Sequence, residues 1–273
     1  MLMPFPRRTT LATLALAALV PLAALGETTP AAAPALEPDW TGTGNVGLFS
    51  RYVFRGLTQT NQKPAVQGGF DLGHKSGFYV GTWASNISWL SDSYAPSLPQ
   101  PGPSATMEWD FYGGYKGSLP MDFGYDLGVL YYWYPGKYPP TGYTSPNTTE
   151  LYAALSWKFL SFKYSWSANE RTFGIANSRG SHYLDLTASY DVVEKVNDVI
   201  GKVTVFGHLG KQYYHANSTY TYSDWKVGAS TEIYGVTVGI YGTGTNAQAA
   251  AYTNNFGKNI SANQFVGYVQ KTF

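Results

Sequence analysis

Two arginines, Arg51 and Arg55, stand four positions apart in the stretch SRYVFRGLTQTN at 50–61. Arginine binds carboxylates and other anions through paired N–H donors, so these side chains could serve an anion site or separate ion pairs. In an extended strand, side chains separated by an even number of residues lie on one face. We therefore predict that both arginines share one face of a strand, and that Tyr52 and Phe54 lie on the other.

The four histidines do not form a catalytic set. His74 falls in a predicted turn, His215 in a predicted loop, His208 on a predicted inward position, and His182 directly after Ser181. Neighbouring residues on a strand face opposite sides, so Ser181 and His182 cannot act together. Without a nucleophile, a base and an orienting group on one face, we predict no enzyme activity.

Metal and cofactor sites are not predicted either. The chain has no Cys, and its histidines and carboxylates have no ligand spacing. The glycine-rich stretch GTGTN at 242–246 opens no helix, so it does not resemble a phosphate-binding loop. We predict that the protein needs no cofactor.

Composition restricts the class of protein. Of the 273 residues, 13% are charged, about half the share usual in soluble domains, and 16% are aromatic. The net charge of +1 gives no reason to expect nucleic-acid binding. Beyond the N-terminus no apolar run reaches the roughly 18 residues of a membrane-spanning helix, which excludes a helical membrane protein.

The segment 1–26 is organised like a secretory signal peptide. An arginine pair precedes an apolar stretch from Leu11 to about Leu25, and a small residue, Gly26, ends it. We predict cleavage after Gly26 and a flexible lead-in, rich in Ala and Pro, over 27–41. The mature chain is then exported from the cytoplasm.

Over 42–273 the apolar residues recur with a period of two, which indicates strands with two different faces. In 121–134, Phe123, Tyr125 and Leu127 alternate with polar residues and glycines. The same alternation predicts about twelve strands, at 44–55, 64–74, 78–88, 106–117, 121–134, 149–160, 161–170, 181–191, 201–212, 222–232, 235–245 and 262–273. Each is long enough for a tilted strand across a bilayer, which takes roughly 9 to 11 residues.

The connections between these strands alternate between long and mostly short, as they do in an outer-membrane β-barrel with long outer loops. A secreted β-sandwich also has alternating strands, but its outer face should be rich in Lys, Glu and Thr. Here the polar face is rich in glycine, and Tyr and Trp cluster near strand ends as at a lipid interface. We predict an all-β fold, an antiparallel transmembrane β-barrel of about 12 strands.

If the apolar face meets lipid, the opposite face lines the lumen and contains charges of both signs. The predicted lumen-lining residues are Arg51, Arg55, Gln67, Asp71, Glu108, Asp110, Lys116, Asp126, Glu150, Lys158, Lys163, Asp185, Lys202, Lys226 and Glu232. They could form a charged channel wall, or pair across neighbouring strands and fill a narrow interior. For one of the two arginines, Asp71 on the second strand is a candidate partner.

The chain ends NQFVGYVQKTF, with Phe273 last. Phe265, Val269 and Phe273 fall on one face and resemble the C-terminal signal for the machinery that assembles outer-membrane barrels. Lys271 departs from that pattern, because an aromatic residue is common there.

The stretches SRYVFRG, PAVQGGFDL and GFYVGTWASN, followed by EWDFYGGYKG and DFGYDLGVLYYWYPG, resemble the TorF family of bacterial porins. The resemblance covers nearly the whole mature chain. It implies an outer-membrane porin of a Gram-negative bacterium, and it assigns neither a substrate nor catalytic residues.

These observations predict a porin in the cell outer membrane that lets small hydrophilic solutes or ions diffuse passively. Its expected partners are outer-membrane lipid, the barrel assembly machinery and the solutes themselves. The alternative is a closed barrel that acts through its loops, such as YYHANSTYTYSD at 213–224, as a binding or structural protein.

Overall fold

The computed structural model describes residues 38–94, 102–139 and 143–273. The predicted signal peptide and most of the predicted lead-in lie outside these residues, so both stay predictions.

The described residues form fourteen strands, of which twelve close into an antiparallel barrel and two make a short separate hairpin. In chain order they are β1 (Trp40–Phe49), β2 (Val53–Phe54), β3 (Leu57–Thr58), β4 (Ala65–His74), β5 (Phe78–Asn86), β6 (Met107–Leu119), β7 (Phe123–Trp133), β8 (Thr148–Trp157), β9 (Leu160–Ser167), β10 (His182–Val193), β11 (Ile200–Tyr213), β12 (Tyr222–Ile233), β13 (Val236–Thr245) and β14 (Gln264–Thr272). The short strands β2 and β3 are not part of the barrel, so β1 pairs with β4. Each later barrel strand pairs with the next one along the chain, and β14 pairs with β1 to close the sheet. The predicted fold class and the count of twelve strands are confirmed.

The two ends of the barrel differ in the length of the connections between strands. At the turn end the strands are joined by the segments 75–77, 120–122, 158–159, 194–199 and 234–235, and the start of β1 and the C-terminus also lie there. At the loop end the connections are longer, and a helix of one turn, α1 (Trp89–Asp92), lies in one of them. None of the described residues forms a helix long and apolar enough to cross a membrane.

Side chains alternate across the barrel wall. In β7, Leu127 and Val129 are exposed on the outside, 53% and 41%, whereas Tyr132 is buried inside. Aromatic residues stand at both edges of this apolar outer face. They include Trp109, Tyr131, Tyr213 and Trp225 toward the loop end and Trp40, Phe78, Trp157, Tyr190 and Phe273 toward the turn end. A barrel that is apolar outside, polar inside and bordered by aromatic girdles has the surface of a membrane-spanning barrel.

The predicted first strand, 44–55, is wrong at its end. β1 stops at Phe49, whose register partner on the neighbouring β4 is Ala65. The residues between them leave the wall and fold into the barrel as a hairpin. We call residues 50–64 the lumen hairpin.

Candidate functional site

The lumen has two halves with different packing. In the loop-side half, inward side chains are almost completely buried. They include Glu108, Tyr132, Glu150, Tyr183, Gln212, Asp224 and Gln264, each between 1% and 7% exposed. In the turn-side half, the charged groups of Asp191, Lys202 and Glu232 are 35% to 38% exposed. The lumen is therefore tightly packed toward the loops and more exposed to solvent at the turn end.

The lumen hairpin fills the loop-side half. Its two short strands, β2 and β3, meet in the two-residue turn Arg55–Gly56. Both turn residues have positive φ, 46° and 78°, as a type I′ turn requires. A Cβ at Gly56 would clash with Thr245 and lie 2.8 Å from the Cβ of Asp224, so the hairpin tip touches the wall at β12 and β13. Only glycine fits this left-handed position against β12 and β13 without strain.

Arg55 anchors the hairpin to the wall. Its Nη1 donates to Glu150 Oε1 at 2.9 Å and to Gln212 Oε1 at 2.7 Å, and its Nη2 donates to Glu150 Oε2 at 2.8 Å. The ion pair is bidentate and buried: the arginine side chain is 8% exposed and the glutamate side chain 2%. The guanidinium carbon also lies 4.1 Å from the ring centre of Tyr183 and 4.8 Å from that of Phe54. Such an arrangement combines charge-assisted hydrogen bonds with cation–π contacts.

The ionisation of the hairpin residues follows from these contacts. Burial alone lowers the pKa of the Arg55 guanidinium, but the Glu150 carboxylate outweighs it and holds that pKa well above its ordinary value. Burial, followed by the charge of Glu108, raises the pKa of Tyr52. Arg55 therefore stays charged and Tyr52 stays a neutral donor, with its hydroxyl 2.7 Å from Glu108 Oε1.

An apolar cluster surrounds these polar contacts. Its buried members are Tyr52, Ala65, Ile87, Leu90, Ala105, Tyr132 and Tyr134. Phe54 packs edge-on against Tyr132 and Phe173, with ring centres 5.6 Å apart in each pair. The expectation that Tyr52 and Phe54 face lipid is wrong, because both side chains belong to this interior cluster.

Loop segments hold the hairpin from the loop end. The backbone N–H of Thr58 donates to Ile260 O at 2.9 Å, and the N–H groups of Ser88 and Trp89 donate to Gln59 O. Gln264 on β14 reaches Gly56 O at 3.4 Å through its side-chain amide. Two loops and the barrel wall therefore fix the hairpin in its place.

The turn-side half contains a network of tyrosines and carboxylates. Tyr112 donates to Asp71 at 2.7 Å, and Tyr79 donates to Asp126 at 2.6 Å and shares a short hydrogen bond with Tyr152. The ammonium of Lys163 lies 3.9 Å from the ring centre of Tyr152. Two carboxylates, three tyrosines and one ammonium thus contact one another along this part of the wall.

On β10 to β12, farther around the lumen wall, His208 lies between two carboxylates. Its Nδ1 is 3.0 Å from Asp185 Oδ2, and its Nε2 is 2.7 Å from Asp224 Oδ2 and 3.0 Å from the Tyr183 hydroxyl. These partners satisfy both ring nitrogens. No group of His, Asp or Glu that could hold a metal ion occurs among the described residues.

The structure places most of the predicted lumen residues on inward positions of the barrel strands. These are Gln67, Asp71, Glu108, Asp110, Lys116, Asp126, Glu150, Lys163, Asp185, Lys202, Lys226 and Glu232, and their exposed neighbours point outward. Lys116 and Lys226 lie over the rings of Tyr79 and Tyr241, at 5.3 and 5.5 Å. Gln67 contacts Ser85 at 3.5 Å.

Three predicted positions differ from the expectation. Arg51 and Arg55 belong to the lumen hairpin instead of the wall, and Arg55 pairs with Glu150 instead of Asp71. Asp71 instead accepts a hydrogen bond from Tyr112. Lys158 lies in the turn between β8 and β9, where it has a φ of 55° and its ammonium lies 4.5 Å from the ring centre of Trp157.

The C-terminal residues Phe265, Val269 and Phe273 lie on the outer face and are 74%, 41% and 74% exposed. Lys271 shares that face, and its ammonium donates to Gly235 O at 2.9 Å. Their role as an assembly signal stays a prediction.

Residues 32–273 match the family described as "Bacterial protein of unknown function (Gcw_chp)". The chain belongs to this family. The match does not establish the TorF name that the sequence resemblance suggested. No curated protein matches the chain in sequence.

Several solved structures share a general likeness with this barrel. The KdgM porin has 8% identity and a TM-score of 0.49, with 85% of this chain and 99% of that chain covered. The NanC porin has 14% identity and a TM-score of 0.46, with 83% and 98% covered. LpxR from Salmonella typhimurium has 9% identity and a TM-score of 0.44, with 85% and 99% covered.

Proposed function

We propose that the chain is a porin of the cell outer membrane, through which small hydrophilic solutes or ions diffuse passively. The observation that supports this function best is the turn-side half of the lumen, where a polar wall with both signs of charge is partly exposed to solvent. A wall of this kind selects solutes by charge and by hydrogen bonding. The lumen hairpin closes the path at the loop end, so passage requires the hairpin to move.

The apolar outer face with its two aromatic girdles supports a place in the lipid bilayer. In such a barrel the long connections lie outside the cell and the short turns in the periplasm, where the termini also lie. The outward residues Phe265, Val269 and Phe273 would then present the C-terminal strand to the assembly machinery.

A closed barrel that acts through its loops is the second candidate, and the filled loop-side half favours it. The two functions differ in their electrical behaviour. Single-channel recording of the refolded protein in a planar bilayer should show discrete, infrequent openings if the hairpin gates a pore. A correctly folded barrel that stays silent at every voltage would support the closed barrel.

The barrel state must be verified in the same samples. Unboiled protein should migrate differently from boiled protein in detergent electrophoresis. A protein that shows no such difference and is recovered soluble from the periplasm would contradict the membrane location itself.

A further inference from the structure

The site that holds Arg55 is built almost entirely by the wall. Its polar members are Glu150 on β8, Gln212 on β11 and Tyr132 on β7, and Tyr183 on β10 supplies the nearest wall ring. Phe173, from the loop after β9, contributes a further ring 5.8 Å away. We call these five residues the guanidinium cage. Because none of them belongs to the lumen hairpin, the cage remains when Arg55 leaves.

The acceptors of the cage match the planar shape of a guanidinium. Both oxygens of Glu150 accept from the guanidinium, and Gln212 Oε1 accepts a second hydrogen bond from Nη1. A guanidinium has several N–H donors in one plane that match these acceptors, whereas the ammonium of a lysine is a compact charge without that planar geometry. With the hairpin seated, the four wall residues other than Phe173 are at most 4% exposed, so the Arg55 guanidinium is bound away from water.

Two further acidic side chains lie near the cage. Glu108 and Asp110 on β6 are 1% and 6% exposed, and Asp110 lies directly opposite Tyr132 in the sheet register. Asp110 Oδ1 is buried without a hydrogen-bond partner. If the hairpin moves out, it removes Arg51 and Arg55 together and leaves Glu150 without the cation that it pairs with. An anion that has lost its partner attracts another cation.

We propose that the guanidinium cage is a binding site for small organic cations that have a guanidinium group, and that Arg55 is its tethered occupant. A solute guanidinium competes with Arg55, and its binding releases the hairpin. The proposal rests on the proposed function, because the solute must reach the cage through the lumen, and it names the class of solute. Tethering gives Arg55 an effective concentration in the millimolar range or above, so solute binding to the unaltered chain should be weak.

The test uses Arg55→Ala, which removes the atoms of ethylguanidinium and empties the cage. Isothermal titration calorimetry in detergent measures the binding of ethylguanidinium and of ethylammonium. We expect Arg55→Ala to bind ethylguanidinium at least about ten-fold more tightly than the unaltered protein does, and more tightly than it binds ethylammonium.

Matched variants separate the cage from general effects. Arg51→Ala, on the same hairpin, should not gain ethylguanidinium binding, and Arg55→Ala with Glu150→Gln should lose it. If Arg55→Ala does not fold, Arg55→Lys replaces it, since lysine leaves the forked donor site unfilled and ethylguanidinium should still bind more tightly than to the unaltered protein. A folded barrel that binds no ethylguanidinium in either variant, or binds it equally with Gln at 150, would overturn the proposal. Because calorimetry needs no pore, binding without any conductance would leave this site standing while refuting the porin.

Discussion

The two halves of the lumen use similar residues in different ways. Glu150 in the loop-side half is 2% exposed and pairs with a buried arginine, whereas Glu232 in the turn-side half is 38% exposed and lies 4.0 Å from Lys202. A buried carboxylate requires a partner, since an unpaired buried charge costs several kcal/mol. A half-exposed carboxylate keeps its water and gains little from its partner. The same residue type therefore fixes the hairpin in one half and leaves a solvated wall in the other.

The two halves should differ most in how the removal of one carboxylate affects release of the lumen hairpin. Glu150→Ala leaves the Arg55 charge buried without its anion, which should destabilise the closed hairpin by about 3–5 kcal/mol. Trypsin cleavage after Arg51 and Arg55, followed by mass spectrometry, measures how often the hairpin is released. We expect cleavage to accelerate by more than about 100-fold.

Glu232→Ala is the matched control for that experiment, and it should leave the cleavage rate unchanged. Equal cleavage rates in Glu150→Ala and the unaltered protein would show that the ion pair does not hold the hairpin. The conclusion that a buried carboxylate fixes the hairpin in one half only would then be wrong.

A smaller effect is expected at the hairpin tip. Gly56→Ala adds a side chain at a φ of 78° and pushes it against Thr245 and Asp224. Backbone strain of about 1–2 kcal/mol and the added clash should both favour release of the hairpin. The same trypsin assay should show intermediate cleavage, between the unaltered protein and Glu150→Ala.

Gly257 provides a close control for this substitution. Its φ is 70°, and a Cβ there would meet nothing within 4 Å. Gly257→Ala should therefore introduce similar backbone strain in a loop without releasing the hairpin. If both glycine variants behave alike, the tip contact with the wall has no part in closure.

The smallest effect should come from the turn-side half. Lys202 lies 3.6 Å from Asp191 and 4.0 Å from Glu232, and all three are partly exposed. Lys202→Gln should change the free energy of unfolding by at most about 1 kcal/mol. Urea unfolding in detergent checks this value, and a loss near 3 kcal/mol would mean that this half is packed as tightly as the other.

Sequence patterns predicted the barrel wall well because each strand is amphipathic on its own. β7, expected at 121–134, is observed at Phe123–Trp133, and β13, expected at 235–245, at Val236–Thr245. A membrane barrel requires this alternation in every strand, so local sequence is enough to find it. The inward placement of Glu108 and Lys163 follows from the same period.

The lumen hairpin could not be predicted in this way. Tyr52 and Phe54 continue the alternation of β1, so the pattern is typical of a longer strand. Arg55 and its partner Glu150 are 95 residues apart, and nothing local indicates that contact. The one available signal was Arg55–Gly56 between short apolar runs, since glycine at the second turn position is typical of a two-residue hairpin.

The lumen hairpin is the part of the chain that closes the polar barrel at its loop end. Phe49 and Ala65 are direct register partners, so an Asn-Gly turn can replace residues 50–64 and join β1 to β4 without strain. Single-channel recording of this variant should show steady, cation-preferring conductance, where the unaltered protein opens only infrequently. A variant that retains the heat-modifiable barrel yet conducts no more than the unaltered protein would contradict the claim.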